Sequence, residues 1–361
     1  KRFRAIIITC EIMKYLLSWN GVRKNMNFSQ TTDEEFQRTL MNILDRSTKD
    51  NTYKFAFMRF LIDYCNNNSE SHVEFTTIAK YFFKYYWLQE CKSKFKQAPQ
   101  IKKKPEIIKI IQKEFDKPFY PQTFEKISKQ EPEKIQRCIE KIVKLGFHNV
   151  TWRFQKLKEG NTTKEKRIFF DYTILRVKHA NKKYVDLDAG IDINPKAIEF
   201  FKKYNTVLKK AVNLEWARFL EKLNLGVPRL IQKTEGEIIP RTALGKYRKA
   251  LEPYFKNCYY CDNPLVKNQT HVEHVIPFDY IAEDNIWNFT LACQKCNCTK
   301  LGSLPPEKFL DELINRNKNY RGKIPMIDTS LILLGENFEK IIRDHFENAK
   351  SHGYVVLKDF P

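Results

Sequence analysis

The chain has 361 residues, with 64 Lys and Arg against 43 Asp and Glu, for a formal net charge of +21. Apolar residues make up 42% and aromatic residues 14%, which excludes global disorder, and at roughly 150 residues per domain the length predicts more than one domain. No apolar run approaches the ~18 residues of a membrane helix, which argues against a membrane partner, while the charge excess reads either as the mark of a polyanionic partner, nucleic acid first, or as a solvated surface rich in Lys, Ile and Asn.

A 3.6-residue apolar period predicts helices over 5–19, 33–46, 53–65 and 75–89. Thr32 reads as the N-cap of the second, with Glu35 completing a capping box. Phe55, Phe57, Phe60 and Leu61 share a face of the third, and Ile78, Phe82, Tyr86 and Trp87 lie along the fourth. Such stripes read as core rather than as platforms for stacking bases. Residues 91–130 are the most basic stretch, with eleven Lys, among them Lys102, Lys103 and Lys104, against four acids. Its prolines predict short helices and loops, and a helix over 124–145 follows.

The period then changes to two. Val150, Trp152 and Phe154 alternate, as do Ile168, Phe170 and Tyr172, with Glu159, Gly160 and Asn161 between them; this predicts a β-hairpin. Its flanks carry Lys156, Lys158, Lys164, Lys166 and Arg167. They read either as a solvated edge guarded against aggregation or as a basic ribbon against a DNA groove or backbone. Pro195 starts a helix that runs to 223, Gly226 and Pro228 open a loop, and a basic helix is expected over 241–255. Two closing helices are expected over 306–315 and 330–350.

Nine cysteines are an odd number, against a fully paired disulfide framework. Four are scattered, whereas Cys258, Cys261, Cys293, Cys296 and Cys298 crowd into one segment. Two Cys-x-x-Cys pairs supply four thiolates to one tetrahedral Zn²⁺, and a closed four-Cys site is structural rather than catalytic. Cys298 breaks the spacing and is left out. Between and beside the pairs stand Glu273, His274, Pro277, Asn288, Asn297 and Lys300. Glu273 is a hard oxygen ligand suited to Mg²⁺ or Mn²⁺. An imidazole such as that of His274 is the side chain suited to act as a general base in neutral solution. Asn297 offers a second neutral oxygen ligand from a helix start, and Lys300, one turn on, is placed to contact a phosphate.

The series Glu273-His274-Val-Ile-Pro277, Asn288, Cys293-x-x-Cys296-Asn297 and Lys300 resembles the HNH endonuclease motif of the ββα-metal superfamily, in its zinc-braced four-Cys subset. The resemblance implies that Glu273 and Asn297 ligate one catalytic ion, that His274 activates water, and that Asn288 orients the His274 ring. It also implies DNA as substrate. Asn297 stands where the motif's last His would be, which favours Mg²⁺ over a softer ion; His271 falls outside the pattern, at the rim. In an ideal strand Glu273 and His274 point to opposite faces, so both reach one site only if the strand ends or bulges near Pro277.

The expected fold is α+β: a basic helical domain over 1–148, a hairpin and long helix over 149–235 for DNA grip or dimerisation, and an HNH nuclease domain with closing helices over 236–361. More loosely, Tyr53-Lys-Phe-Ala-Phe57 and the helix bearing Trp216, Glu221 and Asn224 resemble bacterial restriction or defence nucleases with a helical N-terminal region. That implies a cytoplasmic setting in a bacterial-type host, a role in restriction or anti-phage defence, and a defence-system partner protein. One active site cuts one strand, so a double-strand break requires a homodimer or two nicks. The rival readings are a zinc-braced DNA-binding regulator without catalysis and a nuclease directed at RNA.

Overall fold

Thr32 opens the first described helix of the computed structural model, as the capping pattern predicts. Its Oγ1 accepts the Glu35 N–H at 3.3 Å, and α1 (Asp33–Asp45) follows. The structure describes residues 31–45, 49–99, 104–115, 123–147, 150–159, 162–172, 177–179, 182–184, 189–235, 243–358 and 360. The helix expected over 5–19 lies outside them, as do Lys102 and Lys103. The helices α2 (Tyr53–Asn67) and α3 (Phe75–Cys91) fall where the apolar period places them, and α4 (Glu106–Glu114) occupies the basic stretch.

The helix expected over 124–145 is two: α5 (Phe124–Gln130) and α6 (Pro132–Gly146). Pro132 has no N–H to continue the ladder and its ring clashes with the preceding turn, so it restarts the chain at a helix N-terminus. The expected hairpin is also redrawn. Val150 and Phe154 belong to a short helix, α7 (Val150–Phe154). One turn apart, they present both side chains to the core; the Phe154 ring centroid lies 4.8 Å from that of Phe57 and 5.8 Å from that of Phe170. A three-residue alternation satisfies the helical period equally well.

The hairpin is instead built from charged strands, β2 (Lys156–Glu159) and β3 (Thr162–Glu165), with Lys156 opposite Glu165. The strand β4 (Phe170–Tyr172) leaves it. Two short strands that the sequence reading did not anticipate, β5 (Val177–His179) and β6 (Lys182–Tyr184), pair with each other. β4 joins β7 (Gly190–Ile193), whose other edge takes β1 (His72–Glu74), giving the antiparallel order β1-β7-β4. Gly190 is required there, since a Cβ would fall 2.4 Å from the Val73 carbonyl oxygen.

The long helix after Pro195 also divides, at Tyr204, into α8 (Pro195–Lys203) and α9 (Asn205–Glu221), and α10 (Leu230–Glu235) follows. Asn205 restarts the chain, its side-chain amide donating to the Ile62 carbonyl at 2.9 Å. One continuous apolar core runs from Phe36 to Leu230, so the stretches 1–148 and 149–235 share it instead of forming separate cores. The buried Arg59 guanidinium ties α2 to α9, pairing with Asp63 at 3.0 Å and donating to Asn213.

A second core runs from Tyr247 to Tyr354. It is built from α11 (Gly245–Leu251), β8 (Thr270–His274), α12 (Phe278–Ile281), β9 (Phe289–Cys293), α14 (Glu307–Asn319), α15 (Pro325–Leu334) and α16 (Phe338–Ser351), while α13 (Gln294–Lys300) places Cys296 in a smaller cluster with Cys258, Tyr260 and Phe309. The closing helices are therefore three, because Gly335, at φ +80°, ends α15. The fold is α+β, and no described helix is long and apolar enough to cross a membrane.

The buried Phe57 ring touches Phe60, Phe82, Phe154 and Phe170, joining α2, α3, α7 and β4. Phe57→Ala is expected to cost about 3–5 kcal/mol of stability. Chemical denaturation measures it, and a cost below about 1 kcal/mol would contradict its central position.

Candidate active site and metal centres

Cys258 and Cys261 lie on a knuckle before β8, closed by Asp262 in the left-handed region at φ 56°. Cys293 ends β9 and Cys296 falls in the first turn of α13. The antiparallel pairing that sets Thr270 opposite Cys293 brings the two pairs together. All four sulfurs lie within 4.8 Å of one another, and Cys261 and Cys293 are 3.9 Å apart. Tetrahedral Zn²⁺ with Zn–S bonds near 2.3 Å needs sulfurs about 3.8 Å apart, so this thiol set fits a structural zinc. Burial raises the Cys258 and Cys296 thiols. At Cys293 burial acts the same way, but donors to its sulfur prevail and hold it below the ordinary thiol value. Zinc would displace the remaining protons.

β8 carries Glu273 and His274 at its end. The ladder is regular there, with Glu273 opposite Thr290 and His274 opposite Phe289. The two side chains accordingly take different partners. His274 is only 7% exposed, and its ring packs edge-on against Phe289 at 4.4 Å and Phe278 at 5.2 Å between centroids. Its Nε2 lies 3.0 Å from Asp284 Oδ1. A carboxylate only accepts, so this contact places the ring proton on Nε2 and leaves the Nδ1 lone pair to take a proton. Asp284 was not singled out from the sequence. It is one of three acids between Pro277 and Asn285, and nothing in their spacing separates it from the others. Its backbone carbonyl accepts the Tyr247 hydroxyl at 2.7 Å, which fixes its position.

Glu273 faces α13. Its Oε1 lies 2.6 Å from the ammonium of the fully buried Lys300, and its Oε2 accepts the His274 N–H at 2.5 Å. Lys300 also donates to the His274 carbonyl at 2.8 Å. Lys300 is therefore committed internally, and the phosphate contact expected of it is ruled out by its burial. The Glu273–Lys300 contact is a charge pair rather than a directed hydrogen bond, since Oε1 accepts none. That buried oxygen keeps a lone pair for a second cation. Asn297 lies half-buried on α13, one turn before Lys300.

Asn288 holds backbone and not the ring. Its Oδ1 accepts the Ile276 N–H and its Nδ2 donates to the Ile276 carbonyl, both at 2.8 Å. The Val275 N–H donates to the Asn288 carbonyl at 2.9 Å. The expected contact of Asn288 with the His274 ring is thus replaced by a clamp on the segment just after it, and Asp284 meets the ring. His271 lies exposed on β8, opposite Ala292.

The basic residues proposed for nucleic acid are dispersed. Lys104 donates to Gln112 at 2.7 Å. Lys156 and Lys164 lie on the two strands of the hairpin, Lys166 just beyond, and the Lys158 side chain lies outside the described residues. Arg167 is engaged within the protein: it pairs with Glu165 at 2.8 Å and Asp171 at 2.5 Å and stacks on Tyr172 at 4.3 Å.

The C-terminal segment is thus a two-stranded ribbon followed by a helix, with four cysteines gathered at one end. Residues 258–301 match the family model HNH endonuclease. Residues 32–235 match Domain of unknown function (DUF8808), the family to which the chain belongs. No curated protein and no solved structure matches the chain.

Native mass spectrometry is expected to find one zinc ion per chain, lost in Cys258→Ser, with a lowered melting temperature. A metal-free parent as stable as the zinc-treated protein would contradict the brace. Asn288→Ala removes both bonds to Ile276 and leaves its buried backbone groups unsatisfied, at about 2–4 kcal/mol. Urea unfolding measures this, and an unchanged midpoint would show that the clamp carries no stability.

Proposed function

We propose that this protein is a metal-dependent endonuclease that hydrolyses phosphodiester bonds in DNA. The observation that carries the reading is the placing of Glu273 and His274 at the end of β8, beside the helix bearing Asn297, inside the segment that matches the HNH endonuclease family. Glu273 and Asn297 would hold a divalent ion, Mg²⁺ or Mn²⁺, since a carboxylate and an amide oxygen form a hard donor set. When bound, the ion supplies positive charge to the phosphate oxygen and to the leaving oxygen.

The remaining steps belong to the chain itself. His274 takes the proton of the attacking water at Nδ1, and Asp284 holds the Nε2 proton and favours the imidazolium that results. Phe278 and Phe289 restrict the ring to one plane. Asn288 holds Ile276 and keeps the strand end from fraying, while Lys300 fixes the His274 carbonyl and stops Glu273 from swinging away. A zinc ion held by Cys258, Cys261, Cys293 and Cys296 would take no part in this chemistry and would brace the knuckle against the strand and helix that carry the site.

The +21 charge supports a nucleic-acid substrate held by counterion release. We assign grip to the helical region and hairpin, including Lys102, Lys103, Lys104, Lys156, Lys158, Lys164 and Lys166, and place the activity in restriction or anti-phage defence, with a homodimer or a partner protein completing double-strand cleavage. His274→Ala is expected to lower Mg²⁺- or Mn²⁺-dependent nicking of supercoiled plasmid by about 10²–10⁴-fold, with DNA affinity and zinc content unchanged. Asp284→Ala is expected to lower kcat by about 10–100-fold with KM nearly constant. Cleavage at the parental rate by His274→Ala would overturn the assignment.

A further inference from the structure

The nine residues between His274 and Asp284 contain α12, and the N-terminal domain holds this segment from outside. Lys92, at the end of α3, pairs with the largely buried Asp279 at 3.3 Å. Lys233 on α10 donates to the Tyr280 carbonyl and lies 5.4 Å over the Tyr280 ring. The Tyr280 hydroxyl donates back to the Gly226 carbonyl at 2.9 Å. Arg229 pairs with Glu283 at 2.5 Å, one residue before Asp284. The contacts thus fall on Asp279, Tyr280 and Glu283, inside the loop whose two ends form the His274–Asp284 pair.

Charge and backbone conformation converge on the same seam. The N-terminal domain presents Lys92, Arg229 and Lys233, and the loop presents Asp279 and Glu283. Burial pushes the Lys233 ammonium down to about 7, with Asp279 opposing; charged or neutral, it keeps an N–H for the Tyr280 carbonyl. Arg229 at φ 52° and Ala282 at φ 58° are both left-handed, as is Lys94 at φ 51°, which donates to the Gly353 carbonyl across the same seam at 2.6 Å. Non-glycine residues pay roughly 1–2 kcal/mol for this conformation, and it persists where surrounding contacts over-determine it. The two chain segments that meet through Arg229 and Glu283 are held in shapes that neither adopts readily alone.

We propose that the N-terminal domain is an intramolecular control element of the nuclease site. Its clamp on 279–283 sets Asp284 against His274, so loosening the clamp turns the site off. Arg229, Lys92 and Lys233 are positioning residues: they act through the loop and touch neither the ring nor the metal ligands. The control of cleavage rests on the nuclease reading, whereas the order imposed on the loop does not.

The test uses the full chain and four proteins: the parent, Arg229→Glu, Lys92→Ala/Arg229→Glu, and the charge swap Arg229→Glu/Glu283→Arg. Hydrogen exchange over 275–288 is expected to quicken at least tenfold in the first two variants and to return toward the parent in the swap. Nicking of supercoiled plasmid in Mn²⁺ is expected to fall at least tenfold in kcat and recover in the swap. KM, DNA affinity measured in EDTA and zinc content should stay constant. A Lys92→Ala/Arg229→Glu protein that exchanges and cleaves like the parent overturns the clamp. A parent that never cleaves removes the nuclease reading alone, because exchange over 275–288 still decides whether the domain orders the loop.

Discussion

The contact on which the rest of the site depends is the one between His274 Nε2 and Asp284 Oδ1, at 3.0 Å across nine intervening residues. A histidine at a strand end has two ring nitrogens and a free rotor, and neither the tautomer nor the plane is fixed by the strand. Here the carboxylate fixes the proton on Nε2 and two phenylalanine rings fix the plane. Closing the loop costs chain entropy, which Asn288 offsets by bonding both polar groups of Ile276. The Tyr247 hydroxyl on the Asp284 carbonyl anchors the other end.

A second constraint runs through Lys300. Burying an ammonium and a carboxylate together removes both from water, and the pair holds only if nearly every remaining donor and acceptor is used. Lys300 meets this by bonding the His274 carbonyl as well as facing Glu273, and Glu273 meets it through the His274 N–H. The helix α13 is thereby tied to the last residues of β8, and Cys296, on the same helix, sits with the cysteines of the knuckle. A brace and an active-site strand thus share one short helix. That economy explains why so small a ribbon stays ordered beside a much larger helical domain.

Much of the C-terminal site was legible because metal chemistry imposes spacing. Two Cys-x-x-Cys pairs, a Glu-His dipeptide and an Asn after the last Cys stand out in a bare sequence. Roles were less legible than residues. Asn288 was expected on the His274 ring and binds Ile276 instead, and Lys300 was expected on phosphate and lies fully buried. Both errors have one origin: the motif names polar residues but does not say which way each faces across a two-stranded ribbon. Asp284 was invisible because its role depends on the path of a loop. In the N-terminal domain the apolar period located α2 and α3, while Val150 and Phe154 misled because three alternating residues fit a helix as well as a strand. The shared core from Phe36 to Leu230 depends on long-range packing that no local pattern encodes.

As proposed, Glu273 and Asn297 form a divalent-cation site beside the histidine that activates water, separate from the four-cysteine site. Crystals grown with a short DNA duplex and Mn²⁺, with data collected at the manganese and zinc edges, test it most directly. The account predicts a manganese peak bridging Glu273 and Asn297 and a zinc peak among Cys258, Cys261, Cys293 and Cys296. Zinc at the four cysteines with no manganese at Glu273, and with Lys300 still its only cation, would contradict it.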